Sequence, residues 1–249
     1  MNTYPTILGV YSFSREETIG TGATAARHAT TTHWYCRQLN TIDVEVQPLN
    51  GYHVPSGVRK IINVEEFVKT YTPEPKYYEL HTVPAMKTLK EKIDQGIEAF
   101  SLGRLDKAEK AFIKALMIDD LSIDANYGLG EVYSEKKEYI KLKQVLNTLL
   151  GLDEAFNQVH MQKINSFGVS LRKNGHFSEA INFFNKALEI NRTDENLHFN
   201  MARVYYDKGE LHTCIDCLRN AVDLNGGFAE AHKFIRYCEK KLGDTRPAA

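Results

Sequence analysis

The sequence predicts a mainly α protein: a solenoid of about four helical hairpins with a C-terminal capping helix, preceded by a small β-rich module. Three observations predict it. Small residues recur at Gly96, Gly130, Gly168 and Ala202, with Gly103, Gly175 and Gly209 seven positions after three of them. Hairpin starts at Leu89, Ile123, Met161 and Glu195 are spaced 34, 38 and 34 residues apart. The first eighty residues instead alternate polar and apolar, as Val44 and Val46 do between Asp43, Glu45 and Gln47, which is the period of a half-buried strand.

In the β-rich module, Tyr4–Phe13, Thr31–Leu39, Ile42–Gln47 and Val58–Ile62 are the expected strands. Thr18–Thr32, rich in Gly, Thr and Ala, reads as a mobile loop or the arms of a hairpin. Asn40-Thr41, Asn50-Gly51 and Pro55-Ser56-Gly57 are turns. Asn63 precedes Glu66 by three and caps a short helix through Lys69. Thr72-Pro73-Glu74-Pro75 then opens a stiff connector.

The repeats follow from steric need. Two antiparallel helices approach closely only where the crossing residues are small, as at Gly168 with Ala180 or Ala202 with Cys214. Leu171, Tyr205, Phe112 and Phe184 fill the space between layers. The glycines at 103, 175 and 209 end first helices in a left-handed conformation. The second hairpin departs from this: Leu142 and Leu149 replace small residues, Lys137 replaces the turn glycine, and the link after it is longer. A splayed hairpin or an extended second helix is expected there. Phe228–Leu242 is amphipathic and has no partner helix, so it should cap the stack with Lys233, Arg236, Glu239 and Lys240 facing water.

This period and pattern resemble the tetratricopeptide repeat (TPR) over about residues 86–242. The usual Trp is missing, and Asp120, Arg192 and Gly226 stand where proline is common. The resulting division is a β module at 1–80, a connector at 81–88, and repeats at 89–122, 123–160 (degenerate and extended), 161–194 and 195–228. A capping helix at 229–242 and a disordered tail at 243–249 complete it.

Composition excludes several functions. The chain has 249 residues, 43% hydrophobic, with 31 Lys+Arg against 32 Asp+Glu. Residues 1–84 carry 7 basic and 8 acidic side chains, so neither half has the basic excess of a nucleic-acid binder. The start lacks a positive n-region, and no apolar run suffices to span a membrane; a cytoplasmic location is expected. His28, His33, Cys36 and His53 suit zinc by type but lack paired spacing, and read as strand and loop residues beside Trp34. Gly20-Thr21-Gly22 lacks the third glycine and following helix of a phosphate loop. Cys214 and Cys217 form Cys-x-x-Cys inside a second helix, where core packing explains them. No metal or cofactor is expected, nor is any complete catalytic set.

The resemblance implies a non-enzymatic scaffold or adaptor whose first helices line a concave side that receives a partner peptide or protein. In this register that side carries Tyr127, Glu131, Asn165, Val169, Arg172, Phe199, Asn200, Arg203, Tyr206, Lys233 and Tyr237. Some TPR domains grip a C-terminal carboxylate. Asn200 fits that arrangement, but Val169, Glu230 and Phe234 stand where Asn, Lys and Arg are wanted. An internal peptide segment or a whole partner surface is the expected ligand. Homo-oligomeric assembly and a ligand- or metal-binding N-terminal module recruited by the repeats are the alternatives.

Overall fold

The computed structural model describes residues 7–19 and 26–244. Residues 4–6, the centre of the Thr18–Thr32 segment including Gly20-Thr21-Gly22, and 245–249 of the expected tail lie outside the described residues. Division by contacts yields two compact units, each taken by itself: 1–98 with 110–122, and 99–109 with 123–249. The boundary runs through the first helical hairpin rather than before it.

The first unit contains a five-stranded antiparallel sheet in the order β4-β3-β2-β1-β5. β1 (Leu8–Ile19) and β2 (Ala26–Gln38) are the arms of a long hairpin, which decides between the two readings of the Thr-rich segment. β3 (Asp43–Pro48) pairs with β2 and places Val46 opposite Cys36. The turn between them is set by Asn40, whose Oδ1 accepts from the backbone N–H groups of Ile42 and Asp43. β4 (Lys60–Asn63) begins two residues later than expected. Alternation buries Val44, Val46 and Cys36 on one face, and Phe67 of α1 (Val64–Thr70) lies against them. Each such apolar side chain contributes about 1.5–3 kcal/mol on burial. Asn63 caps α1 by accepting from the Glu65 N–H.

Two expectations for the connector are corrected. Residues 71–73 are not a link but a fifth strand, β5 (Tyr71–Pro73), beside β1. Pro73 is tolerated because it stands on the sheet edge, where no ladder N–H is required of it. Residues 81–88 are helical: α2 (Pro75–Tyr77) starts at a proline, runs through a π turn at Tyr78–Thr82 and continues as α3 (Val83–Ser101). Pro75 can open the helix because its missing N–H would have had no partner there.

α4 (Leu105–Ile118) returns along α3, and the Phe112 ring occupies the space that Gly96 leaves. Still within this unit, the loop after β3 is tied to the end of α4. Asn50 donates through Nδ2 to the Ile118 carbonyl at 2.7 Å, and Ser56 Oγ donates to Asp119 Oδ1 at 2.7 Å. Burial pushes the Asp119 carboxyl up, and the Ser56 and Leu121 donors offset part of that.

The second unit holds three further hairpins: α5 (Ile123–Lys136) with α6 (Tyr139–Leu150), α7 (Met161–Lys173) with α8 (Phe177–Ile190), and α9 (Glu195–Lys208) with α10 (Leu211–Leu224). α11 (Ala229–Asp244) follows, with Ala231 and Cys238 buried and the Lys233, Arg236, Glu239 and Lys240 face exposed. Gly175 and Gly209 have φ of 80° and 88°, the left-handed conformation that leaves the next helix free to turn back.

The crossings differ in one respect from the sequence reading. The side chain seated against Gly168 is the Phe184 ring, one turn beyond Ala180. In the second hairpin Leu146 stands where Phe112 and Phe184 stand in theirs. It is shorter, and Phe167 from α7 fills the space against Gly130 instead. The expected extension of the second helix is not found. α6 spans 12 residues, and the additional link residues form 3-10 turns at Asp153–Phe156 and Gln158–His160 that bury Ala155 and Phe156.

Lys137 takes the turn glycine's place with φ 58°, a conformation that costs an L residue about 1–2 kcal/mol. Lys137→Gly removes that cost but gives the unfolded chain additional freedom worth about 0.5–1 kcal/mol. A net gain of about 0.5–1 kcal/mol is expected, read as a higher urea midpoint.

Candidate functional site

The candidate site is the side of the second unit formed by its first helices, α5, α7 and α9, together with α11. Four of the side-chain bonds that join neighbouring helices on this side share one step. Ser166 donates to Glu131, Asn200 Nδ2 to Asn165 Oδ1 at 2.9 Å, Arg172 to Asp207, and Lys241 Nζ to the Tyr206 hydroxyl at 3.2 Å. Each pair is 35 residues apart. One hairpin plus its link is about that long, so equivalent positions on successive first helices come side by side.

Most of the expected residues are brought together. Asn165, Arg172, Phe199, Asn200, Arg203 and Tyr206 are all half-buried on this side, and Lys233 is exposed on α11. Phe199 packs against Phe228 and Phe234, with ring centroids 5.0 and 6.2 Å away. Tyr206 packs against Phe234 at 5.2 Å and carries the Lys241 ammonium over its ring at 4.7 Å. Tyr237 first, and then Lys241, hold the Tyr206 phenol below its usual range. The Glu131 carboxyl is pushed up by burial, with the Ser166 hydroxyl acting against this. The Arg203 guanidinium is held below its usual range by burial and by the neighbouring Arg172.

Tyr127 is the correction. It was expected on the exposed inner side, and it is buried, with 2% of its surface accessible. Its hydroxyl donates to the Ala155 carbonyl at 2.8 Å, and its ring packs edge-on against Phe167 and Phe183. The 3-10 turn inserted after α6 supplies that carbonyl, so the longer link turns a surface tyrosine into a core one.

Sequence reasoning missed Asp207 and Lys241. Both stand 35 residues after a residue it did select, Arg172 and Tyr206, so the repeat step was the signal available for finding them.

The tempting chemistry elsewhere separates into structural roles. Cys36 is buried in the sheet core and its thiol is pushed up to about 12 by burial. His33 instead stacks on Tyr77 at 4.1 Å, and His53 Nδ1 hydrogen-bonds the Tyr77 hydroxyl at 2.7 Å. Among the described residues no group of three or more His, Cys, Asp or Glu is arranged to hold a metal ion. Cys214 and Cys217 are buried, and burial pushes Cys217 up to about 11 and Cys214 higher still, the opposite of an activated redox thiol. Lys136 is enclosed by Asp106, Glu109 and Glu138, and Lys141 by Glu109 and Glu138, an ion network fixing the α5–α6 turn. No described helix is long and apolar enough to cross a membrane.

Two family models match the chain: "TPR repeat" over residues 168–209, and "Tetratricopeptide repeat" over residues 95–120 and 196–227. No curated protein matches by sequence. Among solved structures, MamA from Desulfovibrio magneticus RS-1 is similar at 15% identity and TM-score 0.47, covering 63% of this chain and 86% of its own. Pseudomonas aeruginosa PilF is similar at 18% identity and TM-score 0.48, covering 64% and 70%. YrrB, described as a TPR protein with an unusual peptide-binding site, is similar at 20% identity and TM-score 0.30, covering 58% and 90%. The hairpins, their left-handed glycine turns and the matched segments lead to one conclusion: residues 95–120 and 168–227 of the chain carry tetratricopeptide repeats, which support a protein-interaction scaffold.

Proposed function

We propose that the chain is a non-enzymatic adaptor that holds an internal segment of a partner protein on the side formed by α7, α9 and α11. The observation that supports this most is the composition of that side. A bridged amide pair, Asn165 with Asn200, lies beside half-buried guanidinium groups and a row of half-buried aromatic rings. Amides hold a peptide backbone, guanidinium groups hold carboxylates or carbonyls, and aromatic faces cover apolar side chains. The C-terminal carboxylate grip is not part of the proposal, because Val169, Glu230 and Phe234 do not supply it.

The test compares the parent chain with Asn200→Ala/Arg203→Ala, folding verified by circular dichroism, against a partner first identified by co-purification and then made separately. Affinity should fall by about tenfold or more, a loss of about 1.4 kcal/mol. Equal affinity for both chains would place binding elsewhere.

One observation favours a second reading, self-association through the first unit. α3 and the π turn before it leave Leu80, Val83 and Ile97 exposed, at 70%, 43% and 51%. Light scattering over a concentration series distinguishes the two: a rising mass that Leu80→Lys/Val83→Lys abolishes supports assembly, and a constant monomer mass removes it.

A further inference from the structure

The charge on the adaptor side is unbalanced at one point. Arg203 and Asp207 stand four residues apart on one face of α9, and Arg172 reaches Asp207 from α7, so one carboxylate lies beside two guanidinium groups. Asp207 is committed to Arg172, with which it forms a direct ion pair. No hydrogen bond or ion pair engages the Arg203 guanidinium among the described residues, although it is half-buried. The next carboxylate along the chain, Glu210, is taken by Lys208 at 2.7 Å. Two guanidinium groups therefore share one carboxylate. A partly desolvated cation whose nearest carboxylate is already paired with another cation is one that an incoming anion stabilises.

The surroundings select among anions. Phe199 precedes Arg203 by four residues and Tyr206 follows it by three, so all three occupy one face of α9. Phe234 of α11 packs against both aromatic rings. The guanidinium fork matches a carboxylate through two parallel hydrogen bonds. Among Arg172, Arg203 and Asp207 the excess is a single positive charge, which one carboxylate neutralises and a phosphate, at about −1.5 to −2, overfills. The adjoining rings provide cover for an apolar side chain.

From this we infer that the adaptor side is selective for an acidic peptide segment, with an Asp or Glu side chain seated on Arg203 beside an apolar residue packed on Phe199, Tyr206 and Phe234. The inference rests on the adaptor reading and adds the chemical class of the ligand to it.

The experiment pans the full chain against random linear peptides fused through their C-termini to a phage coat protein, so that no free terminal carboxylate is offered. Recovered peptides are sorted by whether Asn200→Ala abolishes their binding. The expected result is that the Asn200-dependent peptides are enriched in Asp or Glu at one fixed position relative to an apolar residue. Their synthetic versions should lose about tenfold in affinity on Arg203→Gln and less on Arg203→Lys. Asp207→Asn leaves Arg172 without its carboxylate as well, and should strengthen binding of the same peptides, which loss of fold would not do. Asn200-dependent peptides with no acidic bias, or indifference to Arg203→Gln, overturn the acidic assignment and leave the adaptor reading standing. Recovery of no Asn200-dependent peptide overturns both.

Discussion

Replacing Phe184 with alanine is expected to destabilise the protein by about 3–5 kcal/mol, measured as a fall in the urea midpoint. The Phe184 ring is wholly buried and rests where a Gly168 side chain would be. Truncation removes its transfer free energy and leaves a void between α7 and α8 that neighbouring rings cannot collapse into freely. The same contact makes Gly168→Ala unfavourable despite alanine's higher helix propensity. The added methyl would overlap the ring, and overfilling costs about 1–3 kcal/mol against about 1 kcal/mol gained in the helix. The two substitutions should therefore couple: in the Phe184→Ala background, Gly168→Ala meets empty space and becomes neutral or stabilising. A simple sum of the single effects would show that the two positions do not touch.

Tyr127 yields the second large effect. Tyr127→Ala should cost about 3–5 kcal/mol, since the ring lies between Phe167 and Phe183 in the core. Tyr127→Phe keeps the ring and leaves the Ala155 carbonyl without its donor, at about 1–2 kcal/mol. Neither variant should alter affinity for a partner once measured under conditions where it is folded. A Tyr127→Phe chain of full stability but weakened binding would return Tyr127 to the surface.

These two residues also show what the sequence could and could not convey. Gly168, Gly175 and Phe184 were legible because a helical hairpin imposes the same steric demand in each copy, and repetition displays it. Tyr127 occupies a position that is open elsewhere in the array, but it is covered here by a 3-10 turn that occurs once. A single insertion leaves no periodic trace. β5 was obscured for a related reason. Tyr71–Pro73 is three residues long, has a proline, and is a strand only because β1 lies beside it. Its conformation is set by a neighbour some sixty residues earlier in the chain rather than by its own alternation. On the candidate site, the residue types of the first helices were readable from the register. Their pairing was not, since Arg172 and Arg203 look equivalent until Asp207 is seen to serve one of them.

Four of the bonds joining successive helices of this side have equal spacing but unequal chemistry: carboxylate with hydroxyl, amide with amide, guanidinium with carboxylate, phenol with ammonium. Each hairpin is thereby addressed to its own neighbour. A chain that stacked its hairpins out of sequence would set mismatched groups against one another and strand several of them without partners. A hairpin lent by another copy of the same chain meets no such penalty, because it carries the identical address. Misassembly within one molecule is thus selected against, while exchange of equivalent hairpins between two molecules is not.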